Sequence, residues 1–311
     1  MDGLLIIDKP ADVTSHDVVA GTRRILKERR IGHTGTLDPF ATGVLLVLVG
    51  RATRLAQFLS GSDKEYDAII RLGYATDTGD RTGNRIAGPH GFSDPSRTGR
   101  WSEDEIESAL ASLRGWIDQV PPMYSAKKIG GKKLYELARR GEEVKREPLH
   151  VCIHELEPIR PEGQLVKDNL DGTFDFHVRV VCSAGTYVRV LAEDLGKRLS
   201  VGAHLAELRR TRVGEFSVTN AVTLEQLKTS FAEEAIGTIL LRPSAALSRL
   251  PFVHLSVDDV RRARHGMEVN VGETAWSDGE KVKMCDDNDH LIAIGDYDAT
   301  TQRLHPSVVL A

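Results

Sequence analysis

The sequence is short of cysteine, holds no long apolar run and lacks the usual nucleotide-binding loops, and each shortage removes a class of protein. Its three cysteines, Cys152, Cys182 and Cys285, are widely separated and form no Cys-x-x-Cys or Cys/His cluster. Neither a disulfide framework nor a zinc site follows, and each is read as a small buried hydrophobe. No run approaches the about eighteen apolar residues that a membrane span needs. The opening Met1-Asp2-Gly3-Leu4-Leu5-Ile6-Ile7-Asp8-Lys9-Pro10 lacks a basic start and its apolar run is too short for a secretory signal, so a cytoplasmic protein is expected.

What is present fits a soluble globular protein. With 311 residues, 41% hydrophobic and 28% charged, the chain has room for one large domain and a small one. The net charge of −4 is awkward for a nucleic-acid binder, because phosphate contacts need Lys and Arg. Its distribution softens the objection. Residues 251–311 hold 6 Lys/Arg and 11 Asp/Glu, whereas 122–150 hold 8 Lys/Arg and 4 Asp/Glu. Local patches govern docking of a polyanion, since charges are screened beyond about 8 to 10 Å at ordinary salt.

One stretch stands out: Gly32-His33-Thr34-Gly35-Thr36-Leu37-Asp38-Pro39-Phe40-Ala41-Thr42-Gly43, leading into the apolar run Val44 to Val49. Gly32 and Gly35 permit positive φ and close backbone approach, and Pro39 biases Asp38 towards an extended conformation. The pattern reads as a rigid loop presenting one carboxylate, anchored on a buried strand. It lacks the Gly-Lys-Ser/Thr ending of a phosphate loop, and its glycines precede a strand where a dinucleotide site would open a helix. By spacing alone, Asp38 could equally be a turn residue.

Elsewhere Leu4 to Ile7 predicts a strand and His16 to about Arg30 a helix, whose polar face collects Arg23, Arg24, Lys27, Arg29 and Arg30. That face is either solvated or an RNA-backbone contact. Lys64 to Gly73 predicts a strand carrying Tyr66, and Gly83 to Arg100 an extended loop. Ser102-Glu103-Asp104-Glu105 is a capping box opening a helix through Leu113. Pro121 to Gly141 interleaves aromatics with lysines, the composition that stacks bases and neutralises phosphates, or a solvated basic loop. Phe174 to Val180 alternates as a half-buried strand. Arg189 near the start of a helix from Val188 to Leu199 opposes the helix dipole, which points to a specific anionic partner. From about Leu250 the chain predicts a small β module with strands at Phe252 to Val257, Lys281 to Met284 and Leu291 to Gly295.

The 32–43 stretch, with Gly50-Arg51-Ala52-Thr53 after it and segments 74–80, 121–141, 182–189 and 202–211 in order, resembles the bacterial TruB-type tRNA pseudouridine-55 synthases over roughly residues 3 to 225. The resemblance implies an α+β fold: a catalytic domain, residues 1–249, on a mixed, largely antiparallel sheet, with an RNA-clasping insertion at about 122–150. A PUA-like β domain follows at 250–311. It implies isomerisation of uridine 55 in the T loop, with tRNA bound by its T arm, no cofactor, no metal, no membrane and no obligate protein partner, the chain acting as a monomer. Asp38 becomes the essential carboxylate, Arg189 its ion-pair partner holding its pKa down, and Tyr66 the residue stacked on the uracil. His33 would fill the space left by flipped bases, and Leu208 would pack on the base. Gly35, Thr36, Leu37, Tyr187, Lys9 and Lys132 are expected to touch substrate. A non-catalytic tRNA-binding or tRNA-folding protein on the same scaffold is the alternative. A carboxylate hydrolase would need a second acid or a metal, and no second carboxylate stands at a convincing spacing.

Overall fold

The computed structural model describes residues 1–86, 101–125, 127–138 and 140–310. Strands β1 (Gly3–Lys9) and β3 (Thr42–Val49) are apolar without alternation and pair antiparallel, with Gly3 opposite Val49. Such strands need cover on both faces. On one face Leu5, Ile7, Leu45 and Val47 meet Val18, Val19 and Leu26 of α1 (Ser15–Leu26). On the other, Leu4, Ile6, Leu46 and Leu48 meet Leu55, Val213, Phe216 and, from the C-terminal module, Ile294 and Leu310. α1 starts on a Thr14/Asp17 capping box and stops when Lys27 turns left-handed at φ 53°, so it is shorter than the predicted span to Arg30. β2 (Ile31–Thr34) then runs back along β3, with His33 opposite Val47.

After the short α2 (Ala56–Leu59), β4 (Lys64–Leu72) alternates strictly between buried and half-buried residues. Of the loop predicted at 83–100, residues 87–100 lie outside the described residues. The Ser102/Glu105 capping box opens α3 (Glu103–Ala111). β5 (Gly115–Gln119) follows, then the insertion, a two-residue pairing of β6 (Lys128–Ile129) with β7 (Lys132–Lys133) and the single turn α4 (Leu134–Ala138). β8 (Leu149–Pro158), β9 (Lys167–Asp168), β10 (Phe174–Cys182), α5 (Val188–Arg198), β11 (Ala203–Val213), β12 (Phe216–Ser217) and α6 (Leu224–Ala232) complete the larger unit.

The main sheet has ten strands, with the path β1-β3-β11-β4-β10-β8-β5 and β2, β9 and β12 paired off it. Among the described strands of this sheet the β3–β11 pairing is parallel, through Arg209 opposite Thr42 and Arg210 opposite Gly43, and the other strand pairings are antiparallel. This is the expected mixed, largely antiparallel α+β sheet.

The C-terminal module is a five-stranded sheet in the order β13 (Phe252–His254), β15 (Lys281–Cys285), β16 (Leu291–Asp298), β17 (Arg303–Val309), β14 (Val269–Asn270). It has its own core, including Leu255, Val282, Ile292, Tyr297 and Leu304. The strand predicted through Val257 ends at His254, and α7 (Val257–Arg264) takes its place, because the Ser256 side chain accepts from the Asp259 N–H as an N-cap. All three cysteines are free and buried. Among the described residues no helix is long and apolar enough to cross a membrane.

Candidate active site

The loop between β2 and β3 is pinned on both sides of Asp38. Gly35 takes φ 73°, and its carbonyl accepts from Arg210 Nη2 at 3.0 Å. Ser15 at the start of α1 accepts from the Leu37 N–H at 2.9 Å and donates to the Leu37 carbonyl at 3.1 Å. Beyond Asp38, the Pro39 carbonyl accepts from Lys9 Nζ at 3.0 Å and from the Asp12 N–H at 2.8 Å. Lys9 was expected to touch substrate, but it is 0% exposed and also donates to the Pro10 and Val13 carbonyls. It braces the loop from behind, and burial pulls its ammonium down to about 8.

The helix-start position of Arg189 finds its anion. The 4%-exposed Arg189 side chain aims Nε at Asp38 Oδ2 at 2.8 Å, and Nη2 donates to Oδ1 at 3.1 Å. Two more hydrogens are also used: Nη1 donates to the Thr78 carbonyl at 2.8 Å and Nη2 to the Tyr124 carbonyl at 2.7 Å, while Nη1 stands 3.8 Å from Asp80 Oδ2. One guanidinium therefore fixes the carboxylate and ties it to the insertion. Asp38 itself keeps 31% of its side chain exposed, open to the cleft. The expectation that Arg189 holds the Asp38 pKa down is corrected. Burial pushes the carboxyl above its ordinary value, and the Arg189 charge offsets only part of that rise while the nearby Asp80 charge adds to it.

The cleft, about 250 Å³, is lined by Asp38, Tyr66, Tyr187, Arg189, Leu208 and Arg210, with Gly35, Thr36 and Leu37 on its loop side. Tyr66 on β4 lies opposite Arg210 on β11, and burial raises its phenol above the ordinary value, so the hydroxyl carries its proton. Tyr187 is held through its backbone: its N–H donates to Gln119 Oε1 at 2.9 Å, and its carbonyl accepts from Gln119 Nε2 at 3.4 Å. His33 stands outside this lining, edge-on to His16 with ring centroids 5.4 Å apart. Burial, with the His16 and Arg210 charges, lowers its imidazole to about 4, so it is neutral near pH 7. Lys132 is exposed on β7 and does not reach the cleft.

Sequence reasoning gave no role to Arg210, Lys64, Gln119 or Ser15. Arg210 is 1% exposed and donates from Nε to the Val44 carbonyl at 2.7 Å. Adjacent residues of a strand face opposite sides, so the Arg209-Arg210 pair had to turn one guanidinium inward. Lys64 lines the cleft with Nζ on the Ser60 and Ser62 carbonyls. Among the described residues, no group of three or more His, Cys, Asp or Glu could hold a metal ion.

The site is thus a carboxylate gripped by a buried guanidinium at the floor of a cleft, on a mixed sheet followed by a separate β module, and comparison with known proteins gives its class. Residues 23–188 match the sequence model of the TruB family pseudouridylate synthase (N terminal domain), and residues 189–247 that of the tRNA pseudouridylate synthase B C-terminal domain. The chain belongs to the TruB family of pseudouridylate synthases, and its activity is that of an isomerase forming pseudouridine. The tRNA pseudouridine synthase B of Symbiobacterium thermophilum is 49% identical over 269 residues, 86% of this chain and 83% of that one. That of Solibacter usitatus is 39% identical over 311 residues, 100% of both chains. In the solved Cbf5-Nop10-Gar1 complex, a matching chain superposes with a TM-score of 0.72 at 28% identity, covering 99% of this chain and 85% of that one.

Proposed function

We propose that this chain isomerises uridine 55 in the T loop of tRNA to pseudouridine, flipping the base into the cleft and using Asp38 as the essential carboxylate. The observation that carries this reading is the two-point grip of Arg189 on Asp38, with Tyr66 and Leu208 lining the same cleft. The N1–C1′ bond breaks, a C5–C1′ bond forms, N1 gains a proton and the C5 proton is lost. Nothing is consumed, so the reaction needs no cofactor. A base stacked in folded RNA must first be extruded, at a cost of a few kcal/mol that RNA binding offsets.

Attack by Asp38 on C1′, attack on the uracil and removal of a ribose proton all require the ionised carboxylate. Arg189 favours that form and aims it. Tyr66 offers a flat face to the uracil and Leu208 an apolar wall beneath it, while the neutral His33 ring is suited to stacking where bases have left the RNA. Gly35, Thr36, Leu37 and Tyr187 border the nucleotide, and Lys132 meets the RNA from the insertion. Residues 1–249 form the catalytic domain, with the clasp at 122–150, and 250–311 form a PUA-like module. The chain is read as a monomer without an obligate protein partner, working in the cytoplasm on tRNA.

The test is tritium release from tRNA labelled at uracil C5, without added metal or cofactor, by wild type and Asp38→Asn. Release by wild type alone supports the assignment, with residual Asp38→Asn activity below about one thousandth, the scale lost when a transition-state group is removed. Binding without release by either protein would leave an RNA-binding protein on this scaffold.

A further inference from the structure

The cations at the end of α1 and just after it do not line the cleft. Between residues 23 and 30 the chain carries Arg23, Arg24, Lys27, Arg29 and Arg30 against the single acid Glu28, in a molecule of net charge −4. All five cations are exposed. Arg23 is structural, since its Nη2 donates to the Ile31 carbonyl at 2.7 Å and fixes the chain reversal. Arg24, Lys27, Arg29 and Arg30 form no ion pair among the described residues. Glu28 turns its carboxylate to the Arg30 backbone N–H at 2.8 Å. Ala20, Arg23, Arg24, Lys27, Glu28 and Arg29 border one open groove. Like charges crowded in this way repel one another, and a polyanion laid across them removes that cost.

Two elements connect the groove to the cleft. Along α1, His16, Ala20, Arg23 or Arg24 and Lys27 recur about once per turn and share one face. From His16 to Lys27 that face runs about 16 Å at 1.5 Å per residue, and His16 sits against His33. Along β2, Arg30 is three residues from His33, about 10 Å of extended chain. Both paths put the cations about two to three helical turns from the His16–His33 pair. Phosphates of one strand repeat about every 3.4 Å along a duplex axis, so cations spread over a helical turn and the following loop match consecutive phosphates better than an isolated anion.

We propose that this groove docks the phosphate backbone of the RNA whose base enters the cleft, outside the reacting nucleotide. The inference rests on the RNA-modifying reading of the cleft, which supplies the polyanion. An anionic membrane would satisfy the charge alone, but it would give no reason for the placement beside His33.

The experiment measures equilibrium binding of full-length tRNA at several salt concentrations between 50 and 200 mM. It compares wild type, Arg24→Gln/Lys27→Gln/Arg29→Gln, and a control of equal charge change, Lys197→Gln/Lys228→Gln/Arg261→Gln. Arg23 is left in place so that the chain reversal survives, and unchanged melting temperature verifies the fold. The groove variant is expected to bind about 10- to 100-fold more weakly, with a slope of log K against log salt shallower by about two. The control should follow wild type. Wild-type affinity and slope in the groove variant would overturn the proposal, as would an equal loss in the control. The same result would follow from loss of binding to phosphatidylserine vesicles with tRNA binding intact. Because binding is read without turnover, a chain that binds tRNA through the groove but releases no tritium would sink the synthase assignment alone.

Discussion

Replacing Arg189 by lysine separates charge from geometry at the floor of the cleft. The guanidinium holds both oxygens of Asp38 and two carbonyls, those of Thr78 and Tyr124. An ammonium keeps the positive charge but cannot present a planar fork. With three hydrogens on one nitrogen it cannot serve both Asp38 oxygens and both carbonyls, so at least one acceptor is left bare and the carboxylate is held less firmly. A hydrogen bond to a charged group contributes about 1.5–3 kcal/mol, and an orphaned buried acceptor costs about 1–3 kcal/mol. Since Asp38 is 31% exposed, water restores part of what the carboxylate loses, and a net stability loss of about 1–2 kcal/mol is expected. The rate suffers more, because misaimed chemistry is not repaired by hydration. A loss of about 3 kcal/mol in the transition state corresponds to about a 100-fold slower step. Single-turnover tritium release on saturating tRNA reads the rate, and urea unfolding reads the stability. The acid limb of the rate profile should also move to higher pH, since the carboxyl, already raised by burial, loses much of the opposing grip. A variant within about threefold of wild type, with an unmoved acid limb, would refute the reasoning.

Tyr66→Phe keeps the ring and removes the phenol, so it should bind tRNA normally and release tritium about 100-fold more slowly or less; a wild-type rate would demote the hydroxyl. Gly43→Ala should cost more than about 3 kcal/mol by urea unfolding: its Cβ would stand 2.2 Å from the Arg210 carbonyl oxygen at φ 100°, and a loss under about 1 kcal/mol would show that β3 and β11 can part there. His33 has a folded pKa of about 4 against 6.5, so the unfolded chain takes up the proton first, and stability falls as pH drops from 6.5 to about 4. His33→Phe should flatten that interval of a stability-against-pH curve, and an equally steep curve would exclude the imidazole as its source.

Local signals carried much of the fold. The Ser102/Glu105 box, the alternation through Phe174 to Val180 and the unbroken run at Val44 to Val49 each specify an element by chemistry within a few residues, and each element forms. α7 was missed although Ser256 and Asp259 spell its cap, because β-type residues on either side suggested strand. The Asp38 loop and the misplaced charge of Arg189 were legible for the same local reason. Burial was not. Lys9 reads as a surface lysine until β3 and the 35–41 loop close over it, and the rise in the Asp38 pKa depends on how much water the assembled walls remove. Arg210 became meaningful only once β11 lay between β3 and β4.

That strand placement has a kinetic consequence. Arg189 is 151 residues from Asp38, and Arg210 is 175 from Gly35. Contacts so distant in sequence form late, because their loop-closure entropy must be met before they contribute. Until residue 189 has been made the Asp38 loop lacks its counter-charge, and until residue 210 it lacks the guanidinium beneath Gly35. The cleft is therefore expected to be completed late, when β11 takes its place between β3 and β4. A nascent or truncated chain ending before β11 holds Asp38 and Arg189 but lacks the Leu208 and Arg210 wall of the cleft.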